Sequence, residues 1–81
     1  MKIRARLGTA THVSASSGNL ILRAAREAKI GQVVTSGKGK RIGVVFDVFG
    51  PVESPFVAVR PRIEDPERLV RKDLFIERKE R

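Results

Sequence analysis

The nine residues from Arg41 to Phe49 place apolar side chains on both faces of any strand they form. Successive side chains of a strand point to opposite sides. Ile42, Val44, Phe46 and Val48 therefore share one face, and Gly43, Val45, Asp47 and Phe49 share the other. The run stops at Gly50-Pro51, because proline has no N–H to give a sheet. A chain of 81 residues is one small domain with a thin core. One interior takes one face, so the second apolar row must be wet, covered by other parts of the chain, or covered by a partner, and a covered row is an interface. The alternative is a β-bulge, which reverses the facing partway along and turns more of these residues inward.

The rest of the chain reads as further short strands. Leu7–Val13 is rich in β-branched residues, 14–19 is a turn, and Leu20-Ile21-Leu22 is a short buried run. Residues 23–29 have helical propensity, but the segment is shorter than a helix that stands alone. Ile30–Thr35 is the next strand, Ser36–Lys40 a basic turn, and Phe56–Arg60 a strand closed by Pro61. Asp65-Pro66-Glu67-Arg68 is either a helix start or a single turn. Leu74–Ile76 is the last strand, giving one domain over residues 1–76 and a frayed charged tail over 77–81. Short strands between Gly/Pro turns predict an all-β fold, and closure into a barrel removes the unpaired edges of so small a sheet.

The formal charge of +8 and a pI near 11.2 draw the chain to polyanions, RNA or a ribonucleoprotein first. With no Trp or Tyr and only four Phe, it is poorly equipped to stack on bases, and is expected to sit beside RNA rather than read it. Lys38, Lys40, Arg41, Arg60 and Arg62 are the candidate phosphate contacts. The Ser36–Lys40 segment lacks the spacing of a phosphate loop and precedes a strand instead of a helix. His12 has neither cysteine nor a neighbouring acidic pair, so it is expected as a strand residue facing water, with no metal. Glu64, Asp65 and Glu67 lie among Arg62, Arg68, Arg71 and Lys72, a solvated ionic surface in which each pair contributes roughly 0–1 kcal/mol. No acid/base pair with a pocket is discernible, so neither catalysis nor a cofactor is expected. No apolar run approaches the roughly 20 residues of a membrane span, the start has no signal-peptide pattern, and there are no cysteines; the expected location is cytoplasmic.

Gly43-Val44-Val45-Phe46-Asp47-Val48-Phe49-Gly50-Pro51-Val52-Glu53-Ser54-Pro55-Phe56-Val57 resembles the signature of the GAR-one family of box H/ACA ribonucleoproteins: glycine, an apolar stretch, Asp, an apolar pair, Gly-Pro-Val, two variable residues, then Pro and an aromatic. The likeness extends more loosely to the opening strand, Leu20–Arg23, Gly31–Val34 and Val59-Arg60-Pro61. It implies a six-stranded closed β-barrel of the translation-factor/reductase-isomerase type. It also implies a non-catalytic subunit that docks on the catalytic domain of a pseudouridine synthase and promotes substrate loading and product release in pseudouridylation of rRNA. The other H/ACA proteins and the guide RNA would then be indirect partners, and isolated copies could self-associate through the uncovered face. Carried over residue by residue, Val48, Gly50, Pro51, Val52, Pro55 and Phe56 would meet the partner. Gly43, Asp47 and Phe49 would be structural, with Asp47 bracing the turn through backbone N–H groups and Phe49 in the core. Phe56 stands where the family usually has Tyr, so packing alone carries over there. The Gly/Arg-rich tails of longer eukaryotic members are absent from these residues. The alternatives are a free RNA-binding barrel using the candidate phosphate contacts, and a barrel related to the nuclear assembly factor that occupies the same synthase surface.

Overall fold

The computed structural model describes residues 2–79. The strands are β1 (Lys2–Val13), β2 (Leu20–Ala24), β3 (Val33–Thr35), β4 (Arg41–Phe49), β5 (Phe56–Pro61) and β6 (Asp73–Lys79), with a 3-10 turn at Pro66–Leu69 before β6. They close into one barrel in the order β1-β2-β5-β4-β3-β6, with every neighbouring pair antiparallel. This is the all-β, six-stranded closed barrel that the signature implied.

Leu7, Leu20, Leu22, Val34, Ile42, Val45, Val57, Val59, Leu74 and Ile76, with Ala10, fill the interior. The core is aliphatic throughout. None of the four phenylalanines belongs to it.

Two irregularities in β4 decide which residues enter. Its register shifts against β3 around Ile42 and against β5 at Phe46, where Val45 pairs with Val59 but Asp47 pairs with Ala58. A bulge leaves two residues opposite one and breaks the alternation. Ile42 and Val45 are buried and Val48 packs against the core, while Val44 is half-buried and Phe46, Asp47 and Phe49 are exposed. The expected rows are therefore redistributed. The bulge is present, yet it turns Val48 inward and leaves two rings outside.

Other boundaries move for local reasons. Residues 25–29 form no helix: the N–H of Ala24 donates to Pro55, that of Ala25 to Leu7, and Arg26 Nε to the Arg6 carbonyl, so distant strands take the groups a helical turn would need. Only Val33–Thr35 of the expected Ile30–Thr35 strand is ladder, because Gly31 turns at φ +95°. The segment after Asp65 is the single turn. β6 runs through Lys79, so residues 77–79 of the expected tail are paired with β1, and residues 80–81 lie outside the described residues. His12 is exposed, its Nδ1 2.9 Å from the Thr11 hydroxyl.

Gly43 is structural through close approach. It faces Pro61 across β4–β5, and a Cβ there would run into the carbonyl oxygen of Arg60. Because that obstacle is backbone, it cannot be relieved by a rotamer change. Gly43→Ala is expected to cost about 1–3 kcal/mol, read as a lower urea midpoint with an unchanged m-value; an unaltered midpoint would contradict this account of the β4–β5 packing.

Candidate functional site

Cross-strand partners point to the same side of a sheet. On the outside of β2–β5–β4, this puts Arg23, Phe56 and Phe49 in one row and Ile21, Ala58 and Asp47 in the next. Arg60 and Val44 form a third pair. The Phe49 and Phe56 rings are stacked with centroids 5.7 Å apart, and the Arg23 guanidinium lies 5.2 Å from the Phe56 centroid. Arg60 lies 4.5 Å over the Phe46 ring. Phe46 and Phe49 remain 46% and 44% exposed. Ile21 and Ala58 stand outside the core cluster but are nearly buried, which the aromatic and arginine rows on either side explain.

The hairpin tip extends this surface. Gly50 adopts φ +89°, and a Cβ there would meet the Phe56 ring at 3.0 Å, so the turn needs glycine. Pro51 is exposed at the corner, and the Ser54 N–H donates to its carbonyl. Val52 is 96% exposed. Pro55 is half-buried and its carbonyl accepts the Ala24 N–H at 2.9 Å, tying the turn to β2.

The structure thus gathers Gly50, Pro51, Val52, Pro55 and Phe56, but not Val48, which faces inward because of the bulge. Phe49, expected in the core, stands on the outer face for the same reason. Asp47 accepts the Val48 N–H at 2.8 Å, so it braces the bulged strand and not the Gly50-Pro51 turn. Phe46 and Arg23 are site residues that sequence reasoning left out. Reading β2 and β5 as neighbours of β4 would have been needed to find them.

Beside Phe56 lies an open cleft of about 460 Å³, lined by Arg6, Thr9, Thr11 and Arg23. In its wall the Thr9 hydroxyl donates to Asp73 Oδ1 at 2.7 Å, and Arg6 approaches the same oxygen at 3.3 Å. The Thr9 hydrogen bond holds the Asp73 carboxyl below its usual value, against an opposing desolvation cost, and Arg6 adds to the lowering.

The candidate phosphate contacts divide. Lys38 and Lys40 are exposed on the β3–β4 turn, Arg41 opens β4 and pairs with Glu77 at 3.5 Å, and the Arg62 N–H donates to the Ile42 carbonyl beside it. These share one end of the barrel. Arg60 belongs instead with Phe46.

The chain is thus a small closed β-barrel with an exposed aromatic face at one hairpin tip and a basic end at the other. The chain belongs to the Gar1/Naf1 RNA binding region family, whose model matches residues 5–80. It is 41% identical over 63 residues to an uncharacterized protein of Methanothermobacter thermautotrophicus, covering 76% of this chain and 67% of that one. It is 50% identical over 50 residues to an uncharacterized protein of Methanocaldococcus jannaschii, covering 62% of this chain and 60% of that one. Among solved structures it resembles the Gar1 domain of Naf1, with a TM-score of 0.75 at 24% identity over 95% of this chain and 86% of the other, a likeness of fold.

Because the core is complete without the outer rings, removing one should cost little stability. Phe49→Ser is expected to lower the unfolding free energy by about 1 kcal/mol or less, an aromatic-pair contribution, against about 2–5 kcal/mol for the buried Leu22→Ala. Urea denaturation of both variants checks this, and comparable losses would place Phe49 in the core after all.

Proposed function

We propose that this chain is a non-catalytic accessory subunit of a box H/ACA ribonucleoprotein, which docks on the catalytic domain of the pseudouridine synthase and promotes substrate loading and product release in RNA-guided pseudouridylation of rRNA. Membership of the Gar1/Naf1 family supports the setting. One observation supports the surface: Phe49, Val52 and Phe46 are exposed around a glycine-proline turn although the core needs none of them.

Exposed apolar side chains held on a rigid turn lose little freedom on binding, which favours them as anchors. Stacking fixes Phe49 against Phe56, and the φ of Gly50 and ring of Pro51 set the tip. A stable contact would bury roughly 600–1,000 Å² per partner, more than the tip alone offers. The outer rows through Arg23, Phe46 and Arg60 would have to take part. Arginines already seated over aromatic rings keep their charge while their flat faces add to the contact area.

An accessory bound away from the reacting atoms acts on conformational steps more readily than on chemistry, and product release is such a step. The chain should therefore raise multiple-turnover pseudouridylation several-fold and leave the single-turnover rate within about twofold. Equal effects on both would argue against a role in release.

Val52→Asp tests the surface without disturbing the fold, since the side chain is 96% exposed. Calorimetry against the synthase should give an affinity at least about tenfold weaker, roughly 1.4 kcal/mol, with an unchanged melting temperature. Unaltered affinity would remove this tip from the interface.

A further inference from the structure

One row of side chains crosses five strands on the outside of the barrel. Strand pairing sets Asp73 of β6 beside Thr9 of β1, Thr9 beside Arg23 of β2, Arg23 beside Phe56 of β5, and Phe56 beside Phe49 of β4. Cross-strand partners share a face, so the aromatic pair runs without a break into the cleft beside Phe56. The polar groups of that cleft are unequally committed. The Thr9 hydroxyl donates to Asp73 Oδ1, and the Thr11 hydroxyl donates to the Ile21 carbonyl at 3.0 Å. Arg6 donates to the Thr9 hydroxyl at 3.0 Å and approaches Asp73 at 3.3 Å. Arg23 is different. Its guanidinium lies over the Phe56 ring, and no carboxylate among the described residues pairs with it. The ring restrains the side chain while its N–H donors stay unused.

We propose that this cleft seats a single carboxylate side chain, Asp or Glu, of the protein partner on Arg23, with an apolar part of the same partner segment against Phe56 and Phe49. The partner is the synthase of the reading above, on which this inference rests; the position and the chemistry of the seat rest on the geometry. A guanidinium fork matches a carboxylate through two parallel N–H···O bonds. The cleft, of about 460 Å³, has room for such a side chain and the backbone that carries it. Neighbouring strands lie about 4.8 Å apart, so Arg23 and Phe49, two strands from each other, place the acid roughly 10 Å from the apolar contact. A nucleic-acid strand fits the same place poorly. Asp73 stands two strands from Arg23 on the other side, and the Thr9 hydrogen bond and Arg6 keep it ionised. A run of phosphates passing Arg23 would meet that charge, whereas one carboxylate stops short of it.

The test uses the full chain and the intact synthase. Arg23 is exposed, so R23Q and R23K should melt with the wild type. By calorimetry R23Q should bind the synthase about tenfold more weakly, and R23K about fivefold, because lysine restores the charge but not the fork. R68Q makes the same change in charge on the 3-10 turn, outside the cleft, and should bind within about twofold of the wild type. Carbodiimide labelling with glycine ethyl ester, read by mass spectrometry at saturating chain, should find one synthase Asp or Glu that the wild type protects and R23Q leaves open. Identical carboxylate footprints with the two chains would overturn the seat. Equal losses in R23Q and R68Q would reduce it to overall charge, and full affinity in R23K would reduce it to a simple cation; either overturns it. So would R23Q keeping its synthase affinity while losing binding to labelled oligouridylate in fluorescence anisotropy, which would give Arg23 to RNA. The docking reading fails separately. Weakened binding in V52D with R23Q unaltered sinks only the seat, and the reverse sinks only the tip. Absence of synthase binding by the wild type sinks the docking reading and with it the occupant named here.

Discussion

The bulge at Phe46 governs what this barrel can do. Without it, alternation along β4 would carry Phe46 and Val48 on one face and Asp47 and Phe49 on the other. With it, Val48 joins the core side and Phe46, Asp47 and Phe49 all stand outside. The interior is closed by aliphatic side chains from every strand, so the rings are surplus to folding. Their positions follow from the pairing of β4 with β5 and of β5 with β2, which sets Phe49 against Phe56 and Phe56 against Arg23. A one-residue irregularity thus separates what stabilises the domain from what the domain presents.

The arginines keep that surface compatible with water. Two of the exposed-side rings carry a guanidinium at 4.5 and 5.2 Å, and Phe75 carries Arg4 at 4.9 Å. Such contacts contribute about 0.5–1 kcal/mol at exposed sites, too little to hold the fold but enough to order long side chains over apolar faces. The charge that makes the chain basic is in this way partly spent on sheltering its own aromatics. Net charge is therefore a poor guide to which cations stand free of the protein's own rings. Arg23 and Arg60 belong to the aromatic face, whereas Lys38 and Lys40 are free of such duties.

The barrel was legible in the sequence because turn residues punctuate it and because the Gly43–Val57 signature is long and contiguous. The glycine-proline tip was legible for the same reason, and Val52 is exposed at it. The facing of β4 was not, since a bulge is set by pairing with β3 and β5, and periodicity inside one strand carries no information about its partners. That single gap misplaced both Val48 and Phe49. The helical propensity of residues 23–29 failed differently. Arg26 and the Ala24 and Ala25 amides bond to β1 and to Pro55, contacts distant in sequence that outweigh a weak local preference. Arg4 left no trace in the sequence as the residue that pins the basic turn, for it is 32 residues away from its acceptor Ser36.

The two ends of the β4–β5 hairpin have opposite chemistry within one rigid element. At the tip, conformation is fixed by Gly50 and Pro51 and the side chains are apolar; at the base, the turn is fixed by Arg4 and the side chains are cationic. Both ends restrict backbone freedom before any partner arrives, which lowers the entropy lost on association. A closed barrel has no free rim along which such a hairpin could slip register, so the separation of the two surfaces is set by the length of β4. Lengthening or shortening that strand by one residue would also turn every side chain beyond the change to the other face. The bulge and the strand length are consequently one constraint: both must hold for the rings to stand outside while the lysines stay at the far end.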